Sequence, residues 1–165
     1  NDFFFARRVI LVEGDTEKLA IPEYAARMGV DLNRCGCSIV EVGGKRNLKP
    51  FMEVVRSFDI PVTVVFDTDS SDFQGKRAEE DSYNAELRAF QADDVRIVEL
   101  LPNYEAEVRK ELGEEEYQRL CQLYARTSKP IRARLIAQDK STKIPKPVET
   151  IINSLGDNIV TSVDS

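Results

Sequence analysis

Four short runs limit what this chain can fold into: RVILV at 8–12, SIVEV at 38–42, PVTVVF at 61–66 and RIVEL at 96–100. Each has the length and β-branched content of a strand, and each gap between them is long enough for a helix. Such alternation predicts βαβ units, hence an α/β fold with a central, mostly parallel sheet flanked by helices. In open sheets of this kind, ligands collect outside the carboxyl ends of the strands. Those ends are chemically loaded here. Glu13 follows the first run, Gly43-Gly44-Lys45 the second, and Asp67 and Asp69 close the third. In a parallel sheet all of them share one edge.

The segments between the runs read as follows. Asp15 or Thr16 caps a helix that runs toward Met28, with Pro22 expected to kink it or limit it to a short first piece and Gly29 to end it. Gly14 supplies backbone freedom for a sharp turn between Glu13 and that helix. A second helix spans 48–58, with Pro50 tolerable in its first turn. Residues 70–81 are polar and contain Gly75, which predicts a loop, and a helix follows over 82–90. After the fourth run the pattern is helical: 105–112 with Asn103 as cap, then 114–124 and 129–138. A Pro-containing turn at 141–147 precedes a last helix at 148–155. The division is an α/β core over 1–101 and a helical C-terminal part over 102–165 that completes one domain.

The chain has 165 residues, 42% of them hydrophobic, which is enough for one domain with a core. No apolar run approaches the ~20 residues of a membrane helix, and no leader pattern is visible, so a cytoplasmic setting is expected. The first residue is Asn1, which fits a piece of a larger protein. Cys35, Cys37 and Cys121 are an odd number and read as reduced thiols. There is no histidine, which removes His-based zinc sites, Ser-His-Asp triads and His general bases. Metal chemistry here rests on carboxylate oxygens, the ligands of Mg²⁺, Mn²⁺ or Ca²⁺. A net charge of −6 gives no support to non-specific DNA binding. Arg126, Lys129, Arg132, Arg134, Lys140, Lys143 and Lys146 against Asp139 alone permit a local basic face.

Glu13 at a strand end, Glu17 four residues on, and the Asp67/Asp69 pair would crowd four carboxylates together. Such a group repels itself, and without a cation some members must stay protonated. Two oxygen-ligated cations roughly 4 Å apart relieve that repulsion and are a known arrangement for in-line phosphodiester attack. Neither E-G-x-x-E nor D-x-D is specific alone. Asp15, the remaining acid of this stretch, is read as a capping residue.

The strings VEGDTE, VGGK and VVFDTD resemble the TOPRIM domain, a Rossmann-like module of topoisomerases, bacterial primases and several nucleases. The form E-G-x-T-E is similar to that of the OLD (overcoming lysogenization defect) nucleases, in which an ABC-type ATPase is joined to a C-terminal TOPRIM nuclease. The resemblance covers about 8–101 well and the helical tail less securely. It implies a metal-dependent DNA endonuclease that nicks and cuts with two ions, Mg²⁺ or Mn²⁺, Ca²⁺ binding without supporting cleavage. It implies Glu13, Asp67 and Asp69 as catalytic metal ligands, Glu17 as an additional ligand, and a further acid at Glu105 ahead of Glu107. Lys129 is implied beside the scissile phosphate. DNA, an ABC-type ATPase domain on the same full-length chain and a possible homodimer are the implied partners. Many TOPRIM domains carry a glycine soon after D-x-D. Here Ser70, Ser71 and Asp72 follow, which leaves Ser70 and Asp72 open as metal ligands. No P-loop signature occurs in the chain.

Other readings stay open. A topoisomerase use needs a tyrosine nucleophile, and Tyr83, Tyr104, Tyr117 and Tyr124 lie in helical contexts. A primase use needs a polymerase partner. VVFDTDSSD also looks like the D-x-D of phosphoaspartyl phosphatases, where the pair follows the first strand. A receiver-like, non-catalytic domain with an acidic pocket is the non-enzymatic alternative.

Overall fold

The computed structural model describes residues 5–69 and 77–155. Four strands, β1 (Arg8–Val12), β2 (Cys37–Glu41), β3 (Val62–Asp67) and β4 (Val95–Leu100), form one sheet in the order β2-β1-β3-β4. Every pairing is parallel: Val9 lies against Ser38 and Val62, and Val65 against Val98. Because side chains alternate across a strand, β1 feeds two cores. Ile10 and Val12 enter one, Val9 and Leu11 the other, and all four are at most 1% exposed. Burial on both faces explains why β1 and β3 read as continuous apolar runs rather than alternating ones.

The helices divide between the two faces. α2 (Leu48–Arg56) and α3 (Arg77–Arg88) cover one, through Leu48, Met52, Val55 and Leu87. The other face carries α1 (Asp15–Arg27), α4 (Tyr104–Leu112), α5 (Glu114–Leu123), α6 (Lys129–Gln138) and α7 (Lys146–Asn153). Burial of a Leu- or Ile-sized side chain contributes roughly 1.5–3 kcal/mol, so Ile21, Leu120, Ile136 and Ile151 bind the late helices into the same core as β1. Arg27 at the end of α1 donates to the Ala137 carbonyl at 2.9 Å and to both oxygens of Thr142, fastening the far end of α6. Among the described residues no helix is long and apolar enough to cross a membrane.

Several local expectations fail for identifiable reasons. Pro22 does not divide α1, which runs unbroken from Asp15 to Arg27. The bond it removes falls on the carbonyl of Lys18, an exposed residue, while Ala20, Ile21, Tyr24 and Ala25 hold the helix to the core. Asp15 is not the cap: Gly14 occupies that position with no side-chain cap bond, and Asp15 lies in the first turn, 4.0 Å from Lys18. Its charge still suits the positive end of the helix. Gly14 is extended (φ −152°), a conformation open to any residue, so it supplies no special turn. α3 begins at Arg77, five residues before the expected start at 82. Asn103 does cap α4, its side chain accepting from Ala106 N–H at 2.9 Å. The three cysteines are free thiols.

Candidate metal and phosphodiester site

The sheet order places a switch point between β1 and β3, since the chain leaves β1 toward β2 and returns across it to β3. A crevice opens at the carboxyl ends of strands at such a point. Glu13 and Asp67 stand on its two sides and are linked: Asp67 N–H donates to Glu13 Oε1 at 2.7 Å. The other oxygen-bearing end of the site is fixed by Tyr104 N–H, the first residue of α4, which donates to Asp67 Oδ1 at 3.0 Å. Each carboxylate is therefore aimed by a backbone amide rather than by a flexible side chain. The β2 exit joins them through Gly44, whose N–H donates to the Glu13 carbonyl at 2.8 Å. That turn requires glycine, with φ of +75° at Gly43 and +118° at Gly44.

Glu17 projects from the first turn of α1 and is only 7% exposed. Burial raises its proton affinity, and the charge of Glu105 raises it further. Burial likewise pushes Glu13 up to about 7, with Asp69 and Glu17 adding repulsion. Asp67 is pushed up to about 8 by burial and then by the charges of Glu17 and Glu13. Three acids thus share one low-dielectric space and oppose each other's ionisation.

Asp69 and Glu105 differ. Asp69 lies past the end of β3 in a left-handed conformation (φ +51°), so strand alternation does not set its direction. Its Oδ2 accepts from Lys45 Nζ at 2.8 Å, and the same ammonium donates to Glu80 at 3.1 Å. Lys45 is 7% exposed and lies 5.8 Å from the Phe66 ring centroid. Burial alone would lower its proton affinity, but the bonds to Asp69 and Glu80 outweigh that and hold it protonated. Glu105 pairs with Lys129 Nζ at 2.9 Å. Glu107, the other acid of this stretch, is buried and accepts from Leu101 N–H at 3.0 Å. Ser70 and Asp72 lie outside the described residues.

Among the described residues no three acids already form a closed cage for an ion. The chemistry of the side chains nevertheless suits a hard divalent cation: Glu13, Glu17 and Asp67 offer carboxylate oxygens with no direct ion-pair partner among the described residues, and Asp69 and Glu105 flank them with lysine partners. Lys45 and Glu80 are the residues that sequence reasoning did not assign a role. The signal for Lys45 was its place directly after the Gly-Gly turn. Glu80 had none, because it comes from α3 on another part of the chain. Tyr83 belongs to the same contact, its hydroxyl donating to the carbonyls of Lys45 and Arg46 while Arg46 lies 4.2 Å above its ring.

The tyrosines give no support to a covalent mechanism. Burial raises Tyr83, pushes Tyr117 up to about 12 and drives Tyr104 well above its ordinary value. Three members of the basic stretch are engaged within the domain. Arg134 is spent on Glu23 at 2.7 Å, Lys129 faces Glu105, and Arg132 is half-buried.

Residues 4–69 match the family described as the TOPRIM domain of overcoming-lysogenization-defect-protein-like (OLD-like) proteins. The OLD nuclease of Thermus scotoductus is 30% identical over 92 residues, covering 52% of this chain; the chain corresponds to 17% of that protein's length. Among solved structures, the C-terminal region of the Burkholderia pseudomallei OLD protein superposes with a TM-score of 0.63 at 21% identity, covering 93% of this chain and 98% of that one. The C-terminal region of the Xanthomonas campestris pv. campestris OLD protein gives 0.57 at 19% identity, covering 93% and 96%. At those identities the structural likeness establishes the fold.

Proposed function

We propose, from the match of residues 4–69 to the TOPRIM domain of OLD-like proteins, that this chain is the divalent-metal-dependent endodeoxyribonuclease part of an OLD-type ATPase-nuclease. The observation that carries this reading is the meeting of Glu13 and Asp67 across the β1/β3 switch point, each with its proton affinity raised chiefly by burial and further by the neighbouring carboxylates. Glu13, Glu17, Asp67, Asp69 and Glu105 are the oxygen donors for two ions, Mg²⁺ or Mn²⁺. Ions held there would supply Lewis-acid activation of a water and charge stabilisation at the leaving oxygen. The backbone amides of Asp67 and Tyr104 hold the two central carboxylates in place before any ion arrives. Lys45 holds Asp69 near the site. Lys129, with its side chain 65% exposed, swings from Glu105 to the scissile phosphate and neutralises charge developing there.

In this reading the helical part, described over residues 102–155, completes the same domain rather than forming a second one, which the shared core of α6, α7 and β1 supports; residues 156–165 lie outside the described residues. The remaining partners in this reading are an ABC-type ATPase domain on the full-length chain, a second copy of that chain, and DNA. The test is incubation with supercoiled plasmid and Mg²⁺ or Mn²⁺, beside Asp67→Ala. Nicking and linearisation by the unsubstituted chain alone is the expected result. Equal cutting by both proteins, or by neither, ends the proposal for this domain.

A further inference from the structure

Beside the carboxylates, between α4, α5 and α6, lies a cavity of about 220 Å³ that the proposed chemistry does not use. Its walls are mostly apolar, with the rings of Tyr104 and Tyr117 and the side chains of Val108 and Ile136. One side is continuous with the site through Glu105 and Lys129. Arg132 lines it as well, and its guanidinium is poorly satisfied. The Nε is a buried donor with no partner among the described residues, and Nη2 reaches only the Thr127 carbonyl, at 3.4 Å. A third cation, Arg109, stands 4.9 Å from the centroid of the Tyr117 ring. Buried donors in folded proteins are normally paired, so a guanidinium with an unpaired nitrogen, on a side chain that lines the cavity, has hydrogen-bonding capacity left for an acceptor.

We propose that this cavity is a nucleotide subsite, holding one nucleotide of the DNA strand next to the scissile phosphate. Arg132 takes its phosphate, and the tyrosines and aliphatic side chains take its sugar and base. Aromatic walls joined to a cationic rim are the means by which proteins hold single-stranded nucleic acid without reading its sequence. A nucleotide placed there leaves a duplex stack, so frayed, nicked or single-stranded DNA enters more readily than intact duplex. The inference rests on the nuclease reading, but the two residues that test it stand apart from the metal donors: neither Arg132 nor Ala133, both on the α6 wall of the cavity, has a hydrogen bond or ion pair with a carboxylate of the site among the described residues.

The experiment uses single-stranded oligonucleotides carrying 2-aminopurine at successive positions, bound in Ca²⁺ to the unsubstituted chain, to Arg132→Met and to Ala133→Phe. The expected result is an emission change confined to one position beside the cut site, with about tenfold weaker binding for Arg132→Met and unchanged Ca²⁺ affinity. Ala133→Phe fills the cavity and removes the positional signal. Should that variant not fold, Arg132→Met alone carries the test. Oligonucleotide affinity unaltered by Arg132→Met overturns the proposal and leaves the cavity to a protein partner. So does an emission change that is equal at every position, or a loss of Ca²⁺ affinity that parallels the loss of DNA. Tight binding of free dTMP with no response to the oligonucleotide overturns it too. A positional signal without any plasmid cutting would sink the nuclease reading and spare the subsite; normal cutting by Arg132→Met would do the reverse.

Discussion

The acids gathered around the strand ends, from the strands themselves and from α1, α3 and α4, fall into two groups that the protein treats oppositely. Glu13, Glu17 and Asp67 lie inside, facing backbone amides and each other, with proton affinities raised by burial. Asp69, Glu80 and Glu105 lie outside, and each is matched to a lysine. Burying several carboxylates without cations costs stability, whereas the paired ones are close to neutral in effect. A chain selected only for stability would place its lysines the other way round. The inner group is where the fold keeps room for charge it does not itself supply.

The sharpest way to break this contrast is Asp67→Asn. The amide oxygen still accepts from Tyr104 N–H, so the local geometry is preserved while the charge is removed. Plasmid cleavage is expected to fall by more than the roughly 10–100-fold typical of outer partners of a metal site. The metal-free protein should melt at a higher temperature at pH 8.5. Unchanged cleavage, or a lower melting temperature, would show that the inner acid is neither a ligand nor a source of strain.

The second test is pH. The folded-state values of Glu13 and Asp67 are raised from 4.5 and 3.8 to about 7 and about 8. The native state therefore binds more protons than the unfolded chain between those limits, and stability falls as pH rises through them. Melting in EDTA should decline steadily from pH 5 to pH 8.5. Mg²⁺ at about 100 times its dissociation constant should restore about 2.7 kcal/mol, roughly 5–10 °C for a domain of this size. Its effect should be larger at pH 8.5 than at pH 6, since protons compete for the same oxygens. Melting curves with equal metal response at both pH values would contradict the inner-group assignment.

Lys45→Met sharpens the outer half of the comparison. It strands Asp69 and Glu80 and frees the contact between the Gly43-Gly44 turn and α3. Removing one partner of a fully buried pair costs about 3–5 kcal/mol. Asp69 and Glu80 are 48% and 26% exposed, so solvent reduces the expected loss to about 1–2 kcal/mol. Chemical denaturation gives that number directly, and a loss below experimental error would mean the lysine is a bystander.

How far the sequence reveals this arrangement depends on the range of the interactions. The strands are legible because burial on both faces leaves a local mark: RVILV is β1 from end to end. The strand ends then place Glu13 and Asp67 on one edge with no knowledge of tertiary contacts. Pro22 misleads about the length of α1 because propensity says nothing of the core packing that keeps the helix continuous through it. The Lys45–Asp69–Glu80 cluster is illegible for a different reason. It joins three elements separated by 24 and 35 residues, and no periodicity encodes which acid a lysine meets. Glu107 shows the same limit, since nothing in LPNYEAEV says that it turns inward to Leu101 while Glu105 faces the site.

The smallest effect on the fold is expected at Lys129, and there the two lysines separate. Both raise a carboxylate's pairing and both stand at the rim of the inner group, yet Lys45 is 7% exposed and Lys129 65%. An exposed ion pair contributes about 0–1 kcal/mol, so Lys129→Met should leave the melting temperature nearly unchanged. A lysine held that loosely is free to exchange Glu105 for a phosphate, which the buried Lys45 is not. Cleavage by Lys129→Met should therefore fall about tenfold or more with Mg²⁺ affinity equal or higher, because a competing cation has left Glu105. If the melting temperature drops as far as in Lys45→Met while cleavage persists, the roles of the two lysines are reversed, and the division between structural and chemical cations drawn from their exposure is wrong.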